Sequence, residues 1–183
     1  MINLILREPK LEDKNIFLSV MNESINLHHP WIRPPLDHDE FMLYLKRVSQ
    51  DTHKSYLAFD SNQNITGVFN ISEIVRGHFH SAYLGFYGII GFTGQGYMSQ
   101  GLKLVLSKIF YDLKLHRIEA NIQPNNNRSL NLVKSNGFRR EGYSPKYLKI
   151  DGSWRDHERW AMIYEDFVKL PFAKVSLPNN FGK

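Results

Sequence analysis

The chain has 183 residues, a length typical of one globular domain with a sizeable hydrophobic core. Hydrophobic residues make up 42% and charged residues 22%, which excludes a disordered chain, and the lack of cysteine excludes disulfides, thiolate nucleophiles and cysteine-built metal sites. Lysine and arginine exceed aspartate and glutamate by 23 − 18 = 5, and this positive charge favours an anionic partner such as a phosphate-bearing cofactor, an acidic protein surface or RNA.

Neither a membrane segment nor a targeting signal is expected. The longest nearly apolar stretch, Tyr83 to Phe92, has about half of the roughly 20 residues that a membrane helix needs. The apolar start of the chain is interrupted at Arg7, before it resembles the core of a signal peptide. We therefore expect a cytoplasmic protein, either a monomer or a homodimer.

The first half of the chain is predicted to hold two helices and four strands. A first strand at Asn3–Arg7 precedes a helix that carries Ile16, Phe17, Val20 and Met21 at helical spacing and ends before a proline-rich loop from His28 to Leu36. Asp37 or Asp39 can cap a second helix. Tyr56–Asp60 and Ile65–Ser72 are predicted to form an antiparallel hairpin, followed by a strand at Ser81–Ile90 whose apolar composition predicts burial on both faces.

The second half carries the strongest periodicity. Apolar residues from Met98 to Leu113 recur at i, i+3, i+4 and i+7, and alternation around Ile118–Ile122 then predicts a strand. A short helix at Arg128–Ser135 stops at Asn136-Gly137, and two strands, Phe138–Ile150 and Ser153–Tyr164, enclose a turn at Asp151-Gly152. The predicted order is β-α-α-β-β-β-α-β-α-β-β, in the α+β class. One domain at residues 1–170 and a tail at 171–183 complete the organisation.

A glycine-rich loop, Gly91-Phe92-Thr93-Gly94-Gln95-Gly96, connects a predicted strand to the start of a predicted helix. Glycines allow a ligand to approach the backbone, and the first N–H groups of a helix have no internal partner. The loop therefore predicts a phosphate site. It lacks the G-x-G-x-x-G spacing for a dinucleotide and the Lys-Ser or Lys-Thr of nucleotide hydrolases, so a different pyrophosphate ligand is expected.

The loop, the helix, the alternating strand and the following Asn126-x-x-Ser129 together resemble the acetyl-coenzyme A motif of the GNAT N-acetyltransferase superfamily. Longer stretches resemble its RimJ branch, which acetylates the N-terminal alanine of a ribosomal protein. These stretches are G-V-F-N-I-S-E-I-V-R-G-H-F-H at 67–80, H-R-I-E-A-N at 116–121, P-N-N-N-R-S at 124–129 and G-F-R-R-E-G-Y-S-P-K-Y-L-K-I-D-G-S-W-R-D-H at 137–157.

The resemblance implies a GNAT fold, with a mixed, mostly antiparallel sheet splayed at the coenzyme site, and acetyl transfer from acetyl-CoA to an amine. It also implies roles for individual residues. Backbone N–H groups of Gly94, Gln95, Gly96, Tyr97, Met98 and Ser99 would hold the coenzyme pyrophosphate, and Tyr87, Gly88, Ile89 and Asn126 would bind the pantetheine arm. Ser129 would face the thioester sulfur and donate to the departing thiolate.

The sequence departs from the family pattern in three places. Thr93 opens the loop where relatives usually carry Gln, Arg or Trp, and Ile89-Ile90-Gly91 replaces the usual Gly-Pro-Glu after the strand. Many members have a tyrosine that acts as a general acid seven residues after the asparagine, and here that position is Val133. Binding through the backbone tolerates these changes, whereas contacts from side chains would differ.

Fewer sequence features point to the residues that bind the amine acceptor or take its proton. The candidate bases, by proximity to the predicted cleft, are Glu73, His28, His29 and His80. For Glu73 a role in shaping the groove is favoured over proton transfer, because a glutamate at an exposed strand end is more often solvated. We expect Trp31, His80, Tyr147 and Trp154 to line a substrate groove. Asp156-His157 resembles a catalytic pair, but adjacent strand residues point to opposite faces, which argues against a shared proton.

An α-amine has a pKa of about 7.7–8.0, so roughly a fifth is neutral at neutral pH, against less than about 0.1% of a lysine amine. A protein N-terminus therefore needs only a weak base, and the resemblance implies that a ribosomal protein supplies this N-terminus. Two alternatives remain: a small-amine acetyltransferase acting on a polyamine or aminoglycoside, and a non-catalytic acyl-CoA- or RNA-binding module. No metal is expected from the eight histidines, and the basic residues between Arg139 and Arg159 are interpreted as a solvated sheet edge at which weak contact with RNA or the ribosome stays open.

Overall fold

The computed structural model describes residues 2–173. Its strands are β1 (Ile5–Arg7), β2 (Lys54–Phe59), β3 (Ile65–Val75), β4 (Ser81–Gly88), β5 (Arg117–Ile122), β6 (Arg139–Ile150) and β7 (Ser153–Ile163). Its helices are α1 (Lys14–Glu23), α2 (Ile25–His28), α3 (His38–Val48), α4 (Tyr97–Ser107), α5 (Asn127–Ser135) and α6 (Tyr164–Phe167). A 3₁₀ turn precedes α1, and a π-helical turn at Lys108–Asp112 extends α4. The predicted order of the long elements is confirmed, whereas the short α2 and α6 and both turns were not predicted.

The strands form one seven-stranded sheet in the order β1-β2-β3-β4-β5-β7-β6. Neighbouring strands in the described chain are antiparallel, except for β4 and β5, which are parallel. The parallel pairing covers only Ser81–Tyr83 against Arg117–Glu119. Beyond these three pairs the two strands diverge, which confirms the predicted mixed sheet with a splay.

A hydrophobic cluster lies on each face of the sheet. On one face α4 packs through Leu102, Val105 and Leu106 against β3, β4 and β5. On the other face Phe17 of α1 and Phe41 of α3 pack against β2 and β3. The sheet is therefore covered on both sides over β2, β3 and the end of β4, and the gap between β4 and β5 lies at the border of the doubly covered part.

Local signals account well for turns and caps. The Asp37 carboxylate accepts the backbone N–H of Glu40 at 2.9 Å, so Asp37 rather than Asp39 caps α3. Gly137 adopts a positive φ of 91° at the end of α5, as predicted. Asp151 and Gly152 both have positive φ and connect Ile150 directly to Ser153, which is the predicted two-residue hairpin turn.

Two expectations for β4 were wrong. The strand ends at Gly88: the Ile89 N–H still donates to the Thr66 carbonyl, opposite it on β3, but the Ile90 N–H turns away from the sheet and donates to the Ser24 hydroxyl. It is also not buried on both faces, since Tyr83 is 39% exposed. The cause is that helices α1 to α3 cover only the Gly88 end of that face, so a run of apolar residues did not distinguish a covered strand from a half-covered one.

The first residues of the predicted tail are among the described residues. Ala173 is buried in the core, where its N–H donates to the Leu170 carbonyl and its carbonyl accepts from the Tyr111 hydroxyl. The remainder of the expected tail, residues 174–183, lies outside the described residues.

Candidate active site

The divergence of β4 and β5 opens a cavity of about 100 Å³. β4 contributes Leu84, Gly85 and Phe86, and β5 contributes Asn121 and Ile122. The cavity is completed by the loop after α2, by the start of α5 and by β7, through Trp31, Ile32, Gln123, Asn126, Ser129 and His157. Backbone groups of β4 that would face β5 in a complete sheet therefore have room to bind an extended ligand.

The end of β4 is held from the side of α2. The Nε2 atom of His28 lies 2.8 Å from the Gly88 carbonyl oxygen, and burial lowers the pKa of this histidine. His28 is 3% exposed and ends α2, so the expectation of a loop histidine available as a base was wrong. Its Nε2–H is used to fix β4. Two of the positions expected to bind the pantetheine arm already have hydrogen bonds within the protein. The Gly88 carbonyl accepts from His28, and the Ile89 N–H donates to the Thr66 carbonyl.

The loop before α4 has the backbone conformation that a phosphate site needs. Gly91, Gly94 and Gly96 all adopt positive φ, at 90°, 74° and 88°. A Cβ added at Gly94 would meet no atom within 4 Å, which means that open space lies beside this residue. Gly96 is the N-cap of α4, so the N–H groups of Tyr97, Met98 and Ser99 begin the helix without a partner from a preceding turn. The Gln95 side chain donates to the Gly91 carbonyl at 2.6 Å and closes the loop on itself.

Side chains of the first turn of α4 fix that turn rather than face the cavity. Met98 packs over β3 and β4, where a Cβ on Gly67 would lie 2.5 Å from its sulfur. The Ser99 hydroxyl and the Asn136 side chain exchange hydrogen bonds of 3.2 Å, which joins the start of α4 to the end of α5. The predicted positions 94–99 are thus brought together as a backbone cradle.

The start of α5 places Asn126 and Ser129 in the cavity. The Asn126 Oδ1 accepts the backbone N–H of Ser129 at 3.2 Å and caps the helix. This bond leaves the Asn126 amide Nδ2 as a donor toward the cavity. Ser129 lies one helical turn further along and also lines the cavity, and its role as a donor to the thiolate stays a prediction.

The acceptor residues expected from the sequence are divided between the cavity and its surroundings. Trp31 lines the cavity, and the Tyr147 ring lies beside it, 6.0 Å from that of His157. A hydrogen bond with Tyr147 is also the main reason that the pKa of Tyr83 is raised. Trp154 is 60% exposed on the β6–β7 hairpin, and His80 is exposed in the turn before β4, where its carbonyl accepts the N–H groups of His116 and Arg117.

Glu73 lies outside the cavity that holds Ser129. Its side chain is 66% exposed, 3.8 Å from the His53 ring, and it lines a separate depression of about 170 Å³. That depression is formed with Phe79, Tyr83 and Glu119, on the side of β4 where the parallel pairing is intact.

Asn121, Gln123 and His157 line the cavity but were not predicted to. The first two belong to the polar face of an alternating strand, and that pattern alone is typical of solvent exposure. His157 was considered only as a partner of Asp156. The carboxylate of Asp156 in fact accepts from the Tyr143 hydroxyl and the Lys146 N–H, so the inference that these neighbours share no proton agrees with the structure.

Within residues 2–173, no group of three or more histidine, aspartate or glutamate side chains is arranged to hold a metal ion. The helices of that same range are all too short or too polar to cross a membrane.

Comparison with known proteins identifies the family. Residues 3–139 match the model of the acetyltransferase (GNAT) domain. The chain belongs to the GNAT acetyltransferase family. It is therefore an N-acetyltransferase that uses acetyl-CoA, and not a non-catalytic binding module.

Three similar proteins illustrate the range of acceptors. The [ribosomal protein uS5]-alanine N-acetyltransferase of Escherichia coli is 41% identical over 111 residues, which are 60% of this chain and 57% of that enzyme. The structure of Mycobacterium smegmatis RimJ in complex with CoA-disulfide matches with a TM-score of 0.79 and 25% identity, over 93% of this chain and 86% of that one. Spermidine N-acetyltransferase of Vibrio cholerae, in complex with CoA and spermine, matches in fold with a TM-score of 0.77 and 22% identity, over 90% and 98%.

The geometry of the cavity fits acetyl-CoA as the donor. The site combines three features, each formed by an element that packs into the core. They are the backbone cradle at positions 94–99, the gap beside β4 and Ser129 on α5. The chemistry required of the protein is to orient a thioester, accept one proton from an amine and stabilise a departing thiolate.

Proposed function

We propose that this enzyme acetylates the N-terminal α-amine of a protein, with a ribosomal protein as the expected acceptor. The observation that carries the proposal is the neutral lining of the cavity. Among the described residues that form it, none is aspartate, glutamate, lysine or arginine. A polyamine brings two or more positive charges and needs carboxylates nearby, whereas a partly neutral α-amine does not.

The identity of 41% to an enzyme named as a ribosomal protein uS5-alanine N-acetyltransferase supports a ribosomal protein as the acceptor. In this mechanism Asn126 and the cradle hold the donor, and the amine attacks the thioester carbonyl from the cavity. Ser129 then donates a hydrogen bond to the sulfur as the carbon–sulfur bond breaks.

A polyamine acceptor is the second candidate, because the depression beside the cavity contains two carboxylates, Glu73 and Glu119. The carboxylate of Glu119 is paired with Arg117 at 2.7 Å, which reduces the negative charge that this depression offers. An α-amine is therefore preferred to a polyamine as the acceptor.

The acceptor class is tested with three substrates offered at equal concentration with acetyl-CoA at pH 7.5. They are a peptide with a free N-terminal alanine and no lysine, the same peptide blocked at its N-terminus and carrying one lysine, and spermidine. We expect mass spectrometry to find acetylation of the free N-terminus and almost none of the blocked peptide, since the neutral fraction of a lysine amine is smaller by more than about 100-fold. Faster acetylation of the blocked peptide or of spermidine would contradict the proposal.

A further inference from the structure

We propose that His157 is the base that accepts the proton of the attacking amine through its Nε2 atom. This inference deepens the proposed function and rests on it. It names a residue on β7 that the resemblance does not assign, in the same cavity as Ser129.

The ring of His157 is held in one tautomer by the backbone. Its Nδ1 atom lies 3.0 Å from the carbonyl oxygen of Arg155. A carbonyl oxygen can only accept, so Nδ1 carries the hydrogen and Nε2 carries the lone pair. Within residues 2–173 the ring makes no other hydrogen bond, so Nε2 is not used to hold the structure, in contrast to Nε2 of His28.

The ring is also placed on the side of the sheet from which an amine can approach. Asn121 of β5 lies opposite Arg159 of β7, and His157 is two residues from Arg159 along the strand. Side chains two residues apart share a face, so Asn121 and His157 project to the same side of the sheet. The Oδ1 atom of Asn121 is buried and has no hydrogen-bond partner in the described chain. Two acceptors, Asn121 Oδ1 and His157 Nε2, are thus available to the N–H groups of one amine.

Ser129 enters the cavity from the opposite face. Helix α5 packs through Val133 into the cluster that contains α4, whereas Asn121 and His157 lie on the other side of β5. The cavity therefore crosses the sheet through the gap between β4 and β5. A base on one face and a donor to the leaving thiolate on the other serve the two groups that the tetrahedral carbon carries during acyl transfer, the attacking amine and the departing sulfur.

The charges around the ring are compatible with a neutral base. Burial lowers the pKa of His157, whereas the bond to the Arg155 carbonyl and the nearby Asp156 act in the opposite direction. The titratable group that faces the ring from β6 is Tyr147, and Asn121, Trp31 and Ser129 carry no charge. Since the net shift is downward, the lone pair of Nε2 is free at neutral pH.

The proton balance of the step is complete. The nitrogen of the neutral amine forms a bond to the carbonyl carbon, and one electron pair of the C=O bond moves onto oxygen. When this pair returns to re-form the C=O bond, the carbon–sulfur bond breaks to give a thiolate. The surplus proton on nitrogen passes to His157 Nε2, and its release through solvent balances the proton taken up by the thiolate. The net products are an N-acetyl amine and coenzyme A thiol.

The kinetic test uses the full chain with His157→Asn, because the asparagine Nδ2 can still donate to the Arg155 carbonyl while the basic nitrogen is lost. We expect kcat/KM at pH 7 to fall by about 100-fold, and the acid limb of its pH profile to lose the contribution of the histidine and keep only that of the substrate α-amine. Coenzyme A affinity, measured by calorimetry, should change less than threefold. His78→Asn, at an exposed histidine between β3 and β4, is the matched control and should retain the wild-type profile. A His157→Asn enzyme with kcat/KM within threefold of wild type would overturn the proposal.

A second readout needs no turnover. In long-range ¹H–¹⁵N spectra of the histidine rings, the signal that His157→Asn removes should show hydrogen on Nδ1 and a titration midpoint below 6.5. Hydrogen on Nε2 would overturn the proposal even if the variant were inactive. If the wild-type enzyme acetylates spermidine and leaves the peptide untouched, the proposed acceptor fails. The His157 comparison is then made with spermidine, so the two failures are distinct.

Discussion

The hydroxyl of Ser129 is positioned by the same interaction that begins α5. Because Asn126 caps the helix by accepting the Ser129 N–H, the Ser129 side chain lies at a fixed depth in the cavity. A hydrogen bond from this hydroxyl to sulfur would strengthen as negative charge develops on the leaving group, so its energy would be expressed in the transition state rather than in binding.

Replacing Ser129 with alanine should therefore lower kcat and kcat/KM together, by about 10- to 100-fold, and leave coenzyme A affinity nearly unchanged. Steady-state kinetics and calorimetry measure the two effects. Ser135→Ala is the matched control, because Ser135 is exposed at the other end of α5, where its hydroxyl donates to the Leu132 carbonyl and accepts a long bond of 3.5 Å from the Asn136 amide. An equal loss of coenzyme affinity in Ser129→Ala would make Ser129 a binding residue.

At the scale of elements, the loop before α4 can be tested by a pair of glycines. Gly94 in the cradle and Gly77 in the turn between β3 and β4 have similar positive φ, 74° and 69°, and a Cβ at either would meet no atom within 4 Å. Gly94→Ala and Gly77→Ala should thus carry similar backbone strain, on the order of 1 kcal/mol. We expect only Gly94→Ala to weaken coenzyme A binding, by about tenfold in a calorimetric titration. Equal affinity of the two variants would remove the loop from the site.

The short strand β1 is tied to the start of α1 by an ion pair. The Arg7 guanidinium donates two hydrogen bonds to Asp13, of 2.5 and 2.7 Å, and lies over the Phe59 ring at 4.2 Å. Burial alone would raise the pKa of Asp13, but the bonds from Arg7 and from the Lys10 N–H outweigh it, so the net shift is downward. A depressed folded-state pKa means that the pair stabilises the fold above the unfolded pKa of about 3.9 and loses this effect as the pH falls through the folded value.

Asp13→Asn should accordingly lower the free energy of unfolding by about 1–2 kcal/mol at pH 7, a modest figure because Arg7 is partly exposed. Urea unfolding should show the difference from wild type shrinking between pH 5 and pH 3. Asp112→Asn, which breaks only the exposed pair with Lys108, should cost less than about 0.5 kcal/mol at either pH. A difference for Asp13→Asn that is independent of pH would refute this role for the carboxylate.

At the scale of the whole molecule, the features that sequence predicted are those set by neighbouring residues. The turn at Asp151-Gly152, the cap at Asp37 and the end of α5 at Gly137 each follow from local backbone chemistry. The cradle was found because glycines and a helix start are consecutive in the chain. The resemblance added the fold and the placement of Asn126 and Ser129.

Features that depend on register between distant segments were missed. His28 bonds to a carbonyl 60 residues away, and its burial follows from the packing of α2 against the end of β4. His157 reaches the cavity because β7 pairs with β5 in one register and not in its neighbour, and a shift by one residue would turn the ring to the other face. The run Ser81–Ile90 was misjudged for the same reason, since its composition does not reveal where the covering helices end.

The gap between β4 and β5 also bears on how the protein avoids aggregation. Diverging strands create two sheet edges in the middle of the molecule, and an exposed edge is a template for pairing with another chain. Here the loop after α2 covers the mouth of the gap, where the Gln123 amide reaches the carbonyls of Pro30 and Trp31 at 3.5 Å. The loop after α2 therefore protects these edges as well as lining the cavity, and shortening it would expose them to pairing with another chain.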